Sequence, residues 1–220
     1  MLTISDDVST WQATAVFSVL FAACGLGLVW RAAPAGRPFG LANGITALRL
    51  VLACGLAGAT TELTLRHAPA STELAATELG WALFMIALSG MVLDGVDGYV
   101  ARKLALVSDF GARFDMEVDA FHILVLSVLA AILGKAGWWV LMSGMARYGY
   151  VAAGVFWPQL NAPLPPSWRR KVVAVVQGGA LTLLMAPLMA PPVSGAVAAI
   201  ALVVLLASFA KDVAWCFRHG

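Results

Sequence analysis

Six of the twelve acidic residues of this 220-residue chain lie in one short stretch, from Asp94 to Asp119. Asp94 and Asp97 are three residues apart, so they share one face of a helix. Asp115 and Asp119 are four residues apart and also share a face. Four carboxylates that meet repel one another unless they take up protons or bind cations. Because hard oxygen ligands suit Mg²⁺ and Mn²⁺, the spacing predicts a divalent-metal site.

The other two acidic residues of this stretch, Asp109 and Glu117, have a simpler explanation. Asp109 is expected in the turn between two helices, and Glu117 lies off the helix face that carries Asp115. Both are interpreted as carboxylates that face water at the membrane surface. The other four are not, because charged groups inside membrane spans are rare and usually functional.

The rest of the chain is strongly apolar, with 61% hydrophobic and 12% charged residues and a mean hydropathy of +0.87. A soluble core of this size cannot bury so much apolar surface, so the composition predicts an integral membrane protein. No basic patch indicates a nucleic-acid partner. Cys24, Cys54 and Cys216 are too scattered for a disulfide framework or a zinc site.

Seven apolar stretches reach the roughly 20 residues that a membrane-spanning helix needs. They lie near residues 11–31, 42–62, 79–102, 112–134, 137–157, 171–190 and 192–215. The connections between them are too short to hold another domain. The pattern therefore predicts an all-α fold, a polytopic membrane helical bundle. If the first stretch were a surface helix, the other six would keep their orientation.

Basic residues are unevenly divided between the two ends of these spans. One side receives Arg31, Arg37, Arg102, Lys103, Arg169, Arg170, Lys171, Lys211 and Arg218, and the other only Arg66 and Lys135. Since cytoplasmic loops are rich in Lys and Arg, the N-terminus is predicted outside and the C-terminus inside. The four aspartates then lie just within the cytoplasmic end of the membrane. We expect a bacterial inner membrane location.

The stretch that begins at Asp94 reads DGVDGYVAR, then eight further residues, then GARFDMEVD, which ends at Asp119. This order resembles the signature of the CDP-alcohol phosphotransferase family, at every fixed position and in the spacer. The segment NGITALRL at 43–50 is similar to the family's Asn-x-x-Thr-x-x-Arg opening. The resemblance implies six family-type spans in a domain at 39–220, after an N-terminal segment at 1–38 with one extra span.

The resemblance also implies a reaction, the transfer of a phosphatidyl or similar phosphoalcohol group from CDP-diacylglycerol or another CDP-alcohol to an acceptor hydroxyl, with release of CMP. One or two divalent metal ions would be held by Asp94, Asp97, Asp115 and Asp119. Asp119 would also be the catalytic base. The residues expected around the CDP group are Asn43, Thr46, Asp94, Asp97, Gly98, Ala101, Arg102, Gly111 and Asp115. A homodimer surrounded by membrane lipids is implied as well.

The acceptor is less well defined by the sequence. Basic residues that could form an anion pocket for a phosphorylated acceptor are Arg49, Arg113, Arg147, Arg170 and Lys171. The segment RRKVVAVVQ at 169–177 faintly resembles the Gly-Lys-x-Lys-Thr-x-x-Gln segment of phosphatidylglycerophosphate synthases, but only Lys171 and Gln177 match. Glycerol 3-phosphate, serine, inositol phosphate and phosphatidylglycerol therefore stay open as acceptors.

Two other functions use the same residues. A divalent-cation transporter would need polar groups across the whole bilayer, whereas the segment after His122 reads ILVLSVLAAIL and is nearly all apolar. A catalytically inactive lipid-binding relative is disfavoured because all four aspartates are present. Metal-dependent release of CMP would separate both from the enzyme.

Overall fold

The computed structural model describes residues 16–25, 27, 40–65, 78–104 and 108–219. Within these residues every regular element is helical, which confirms the predicted all-α fold class. The α-helices are α1 (Val16–Gly25), α2 (Leu41–Leu65), α3 (Glu78–Lys103), α4 (Asp109–Ile132), α5 (Leu141–Phe156), α6 (Trp168–Met185) and α7 (Val193–His219).

Three of these helices are long and apolar enough to cross a membrane, namely Leu41–Thr64, Glu78–Lys103 and Val193–His219. They correspond to the predicted spans 42–62, 79–102 and 192–215. The spans predicted at 112–134, 137–157 and 171–190 fall on α4, α5 and α6, which are helical but shorter or more polar. Their number, six or seven, stays a prediction. About half of the first predicted span, 11–31, lies outside the described residues, which include α1 and position 27 of it.

A leucine-rich core joins the helices at the end of the bundle remote from the aspartates. Its fully buried side chains include Leu56 on α2, Leu129 on α4 and Leu184 on α6. Ala87 on α3 and Ala198 on α7 pack into the same cluster. Lipid tails are as apolar as leucine, so in a membrane this cluster fixes its end of the bundle by close van der Waals packing rather than by removing apolar surface from water. The aspartates lie at the other end, where α2 packs against both α3 and α4.

A side-chain cap defines where α4 begins. The Gly111 amide donates a hydrogen bond to Ser108 Oγ at 3.0 Å, and Ser108 has an extended backbone conformation. Asp109 is the first residue of α4, where its charge complements the helix dipole. The sequence analysis placed Asp109 in the turn, which was wrong by one position. The cap sets the register of the helix that carries Asp115 and Asp119.

Lys135 ties two connections together at the opposite end of the bundle. Gly134, just before it, has a positive φ of 66°, which reverses the chain after α4. The Lys135 ammonium donates hydrogen bonds to the carbonyl oxygens of Ala186 at 3.3 Å and Met189 at 2.6 Å. Burial lowers the pKa of Lys135 because desolvation disfavours the charged form. The lysine therefore acts as a cap on carbonyl groups in the α6–α7 connection.

Candidate active site

Four aspartates from two adjacent helices meet at one end of the bundle. Asp94, Asp97 and Asp115 each offer an oxygen atom, and these oxygens lie within 4.8 Å of one another. Two ligands on opposite sides of Mg²⁺ are about 4.2 Å apart, so the three are close to ligand spacing. Asp97 is buried, whereas the side chains of Asp94, Asp115 and Asp119 are each about one third exposed. The site is thus set into the bundle but open on one side.

Arg49 of α2 lies at the centre of these carboxylates and is 2% exposed. Its guanidinium nitrogens are 3.0 Å from Asp94 Oδ1, 2.9 Å from Asp97 Oδ2 and 2.6 Å from Asp115 Oδ1. It also pairs with Asp119. The sequence predicts Arg49 as one of the basic residues that could form an anion pocket for the acceptor. Four carboxylates already surround the guanidinium.

The charge balance favours a further cation at this point. With all four carboxylates ionised, the carboxylates and the one guanidinium together carry a formal charge of −3. Uncompensated charge in a partly buried site is costly. All the available donors are carboxylate oxygens, which are the ligands that Mg²⁺ and Mn²⁺ prefer. The residues present therefore fit a divalent metal ion.

The same face of α2 also holds Asp97 in position. The Thr46 hydroxyl lies 3.0 Å from Asp97 Oδ2 and 3.1 Å from the Ala42 carbonyl oxygen. Thr46 is 3% exposed, so this contact is shielded from water. Thr46 precedes Arg49 by three residues, one turn of the helix, and both side chains contact Asp97 from one side.

Two glycines of the signature allow close approaches near the carboxylates. A Cβ atom on Gly111 would lie 2.8 Å from Asn43 Oδ1, so the asparagine of α2 rests directly against the start of α4 and would have to shift if a side chain were added there. A Cβ atom on Gly98 would lie 3.2 Å from Arg102 Nη1, so the Arg102 guanidinium rests against the Gly98 backbone. Ala101 is half-buried on the same last turns of α3. These predicted CDP contacts all lie toward the α3–α4 connection.

A cavity of 290 Å³ extends from the carboxylates between α3, α4 and α6. Its lining residues are Arg49, Gly90, Met91, Asp94, Gly95, Asp119, His122, Ile123, Leu126, Ala174, Val175, Gly178 and Thr182. Asp119 and His122 are the polar groups that α4 contributes. The cavity gives a small molecule or one end of a lipid access to Asp119.

The basic residues predicted to bind the acceptor contact different parts of the protein. Arg147 forms an ion pair with Glu117. Arg170 lies 3.4 Å from Asp212 Oδ1 and donates a hydrogen bond to the Pro165 carbonyl oxygen. A single pocket that contains Arg147 and Arg170 alongside Arg49 is therefore not what the structure shows.

Arg113 and Lys171 are both exposed, at different places. Arg113 lines a second cavity of 770 Å³, which is mostly apolar and includes Phe110 and Phe121 of α4. By helix spacing these residues lie on the side of α4 away from Asp119. Lys171 lies one turn before Ala174 and Val175 of the 290 Å³ cavity and shares their helix face. Of the predicted acceptor residues outside α2, Lys171 is thus the one on the helix face that lines this cavity.

Arg147→Ala is expected to affect stability more than acceptor binding. The Glu117 partner is 56% exposed, so the pair should contribute about 0.2–1 kcal/mol. The measurement is a double-mutant cycle of Arg147→Ala and Glu117→Ala by thermal unfolding, together with the KM for the acceptor. A rise in acceptor KM of more than about tenfold (1.4 kcal/mol) in folded Arg147→Ala would return this residue to the acceptor site.

Comparison with known proteins identifies the family. Residues 39–207 match the family described as CDP-alcohol phosphatidyltransferase. The chain belongs to this family. The resemblance seen in the aspartate signature is thereby confirmed, and the family together with the three long apolar helices identifies an integral membrane protein.

Several curated relatives are similar over part of their length. A "Probable phosphatidylglycerophosphate synthase" of Mycobacterium tuberculosis is 30% identical over 132 residues, which cover 60% of this chain and 62% of the relative. A "Putative cardiolipin synthase" of Mycobacterium bovis is 28% identical over 46% of this chain and 44% of the relative. "CDP-diacylglycerol--glycerol-3-phosphate 3-phosphatidyltransferase 2" of Arabidopsis thaliana is 32% identical over 40% of this chain and 44% of the relative. The chain thus spans less than two thirds of these relatives. No solved structure matches it.

Proposed function

We propose that this protein transfers a phosphatidyl group from CDP-diacylglycerol to the hydroxyl group of an acceptor and releases CMP. The observation that carries the proposal is the meeting of four aspartates, at the family's signature positions, beside a cavity that reaches Asp119. The names of the relatives support the same class of reaction.

Asp94, Asp97 and Asp115 are proposed to hold Mg²⁺ or Mn²⁺, with Asp119 as a further ligand if two ions bind. Such an ion, when bound, neutralises the diphosphate and stabilises the leaving CMP. Thr46 and Arg49 keep Asp97 oriented toward the other carboxylates. The contribution of these residues is therefore to hold the ion that would compensate the charge of the diphosphate.

Asp119 is proposed as the general base. Its carboxylate takes the proton of the acceptor hydroxyl as the acceptor oxygen forms a bond to the phosphatidyl phosphorus. The bond between that phosphorus and the CMP oxygen breaks, and CMP leaves with the electron pair. Two features support the assignment: Asp119 lines the 290 Å³ cavity, and it is not one of the three aspartates whose oxygens lie closest together.

The CDP group is proposed to bind between the end of α3 and the start of α4. Gly98 lets the Arg102 guanidinium lie close to the backbone, where it provides a cation for a phosphate oxygen, and Gly111 likewise lets Asn43 lie close to the backbone. Asn43 lies against Gly111 and provides an amide for hydrogen bonding. Ala101 completes this surface.

Lys171 is proposed to bind an anionic group of the acceptor at the cavity mouth, with Arg170 nearby. Lys171 is exposed and lies in line with the cavity face of α6. Glycerol 3-phosphate, which the name of the Arabidopsis relative includes, would present its phosphate to this lysine. Phosphatidylglycerol, with a phosphodiester near a free glycerol group, would do the same.

The decisive assay follows CMP release by the purified protein in phospholipid vesicles that contain CDP-diacylglycerol. Glycerol 3-phosphate, phosphatidylglycerol, serine and inositol phosphate are offered in turn, with Mg²⁺, Mn²⁺ or EDTA. We expect CMP release that needs both an acceptor and a metal ion, and a new lipid that mass spectrometry identifies. Asp94→Asn is the matched inactive control. Absence of CMP release with every acceptor in both metals would refute the transferase.

The active site is proposed to face the cytoplasm of a bacterial inner membrane, in a homodimer. The distribution of Lys and Arg supports this orientation. Single cysteines at positions 5 and 219, in a variant without the three native cysteines, should be labelled by an impermeant reagent from outside and from inside, respectively. Labelling of both cysteines from the same side would show either that the first predicted span does not cross the membrane or that the predicted orientation is wrong. Size-exclusion chromatography with light scattering tests the dimer.

A further inference from the structure

His122 is a buried polar side chain that the proposed reaction has not yet used. It is 7% exposed and follows Asp119 by three residues on the same face of α4. Among the described residues its Nε2 atom has no hydrogen-bond partner. A buried polar atom without a partner is costly, so such a position usually serves a ligand or a water molecule.

Gly90 of α3 makes room for this histidine. A Cβ atom on Gly90 would lie 2.3 Å from His122 Cε1 and 3.0 Å from Nδ1. The edge of the ring that carries the nitrogens is therefore turned toward Gly90, and both residues line the 290 Å³ cavity. Any larger residue at position 90 would push the ring away. The absence of a side chain at Gly90 therefore determines the position of the His122 ring at the cavity wall.

The cavity lies on the side of the aspartates away from the proposed CDP position, which is where an acceptor would bind. On α3, the cavity is lined by Gly90 and Asp94. The proposed CDP contact Gly98 comes later on the same helix, beyond Asp97. Along α4 the cavity follows Asp119, whereas Gly111 lies at the helix start. In an in-line displacement the attacking and leaving oxygens lie on opposite sides of the phosphorus. A cavity opposite the CDP position is therefore where the attacking alcohol belongs.

The lining also limits what can enter. Among the described residues that line it, Arg49 is the one cation, and its guanidinium is already bound by carboxylates. Met91, Ile123, Leu126, Ala174 and Val175 give the cavity apolar walls. A phosphate inside would have no free cation, but an uncharged diol would find Asp119 for one hydroxyl and His122 for another. A hydroxyl both donates and accepts, so it suits either tautomer of the imidazole.

We infer that His122 is a specificity residue, which hydrogen-bonds the second hydroxyl of an uncharged terminal glycerol group while Asp119 faces the hydroxyl that reacts. The inference rests on the proposed transferase function. Glycerol 3-phosphate and phosphatidylglycerol both present such a diol, with the phosphate left at the mouth of the cavity near Lys171. Serine does not, because its ammonium and carboxylate groups would both have to enter.

The test compares wild type with His122→Leu and His122→Gln, using glycerol 3-phosphate and phosphatidylglycerol in separate arms. His122→Leu should raise the KM for the acceptor used about tenfold or more, with the KM for CDP-diacylglycerol changed less than about twofold. His122→Gln, which keeps a polar group in the cavity, should recover part of the loss. A merely structural histidine would move both KM values together, and that result would overturn the inference, as would an unchanged acceptor KM.

Gly90 provides a second, independent variant. Gly90→Ala should reproduce the rise in acceptor KM by displacing the ring, but should add little in a His122→Ala background, where no ring is present. Equal effects of Gly90→Ala in both backgrounds would contradict the inference. If wild type transfers only to serine, the proposed function stands and this inference falls. If no acceptor supports CMP release, both fall.

Discussion

Asp119→Asn should reduce phosphatidyl transfer by about 10²–10⁴-fold while metal-dependent binding of CDP persists. A base acts through proton transfer in the transition state and contributes little to holding the nucleotide. Asp119 lines the cavity proposed for the acceptor, whereas the three closest oxygens belong to Asp94, Asp97 and Asp115. Asparagine is close in shape and still offers one oxygen, so the variant should fold. Calorimetry with CDP in the presence of Mn²⁺, alongside the transfer assay, measures the two properties separately.

Asp94→Asn is the matched comparison, because it makes the same chemical change one helix away. Asp94 is one of the three clustered aspartates, so its substitution should lose both CDP binding and transfer. The contrast between the two variants carries the assignment, since each alone would only show that a carboxylate matters. If Asp119→Asn loses CDP binding as completely as Asp94→Asn, Asp119 is chiefly a metal ligand and the base lies elsewhere.

The helix faces that carry the aspartates were predictable because they depend on local geometry. Spacings of three and four residues place each pair on one helix face, and a short connection makes α3 and α4 consecutive helices. Both helices pack against α2 and α6 more than against each other. The Ser108 cap adds a sharp start to α4, so the register follows from the sequence. The face that each pair occupies thus follows from local spacing, whereas the packing that brings the two faces together depends on α2 and α6.

The partners of the basic residues were not predictable in the same way. An arginine near a helix end fits membrane anchoring, an anion pocket or an ion pair equally well, and only the packing of other helices decides. Arg147 pairs with Glu117, and Arg170 with Asp212, 42 residues further along the chain. For Arg49 the sequence contains one relevant pattern. Asn43, Thr46 and Arg49 follow one another at intervals of three residues, which places them along one side of α2. That stripe indicates a polar neighbour, but not which one.

Arg49 is expected to be an internal counter-ion that holds the aspartates together before a metal ion binds. It contacts all four carboxylates and is 2% exposed, so no water can replace it. Removal of one partner from a buried ion pair costs about 3–5 kcal/mol. In a domain of this size that loss corresponds to a fall in Tm of roughly 10 °C. Arg49→Gln should therefore unfold at a clearly lower temperature than wild type in EDTA.

Added metal should reverse much of this loss. In wild type an incoming divalent ion shares the carboxylates with a guanidinium, whereas in Arg49→Gln it meets four carboxylates with no competing cation. Ligand binding to the folded state raises its stability, so saturating Mn²⁺ should raise the Tm of the variant more than that of wild type. Arg218→Gln, at an exposed position in the last turn of α7, is the matched control and should respond like wild type. Equal Tm values for Arg49→Gln and wild type in EDTA would show that the carboxylates do not depend on this arginine. Equal gains on addition of Mn²⁺ would show that arginine and metal do not compete for them.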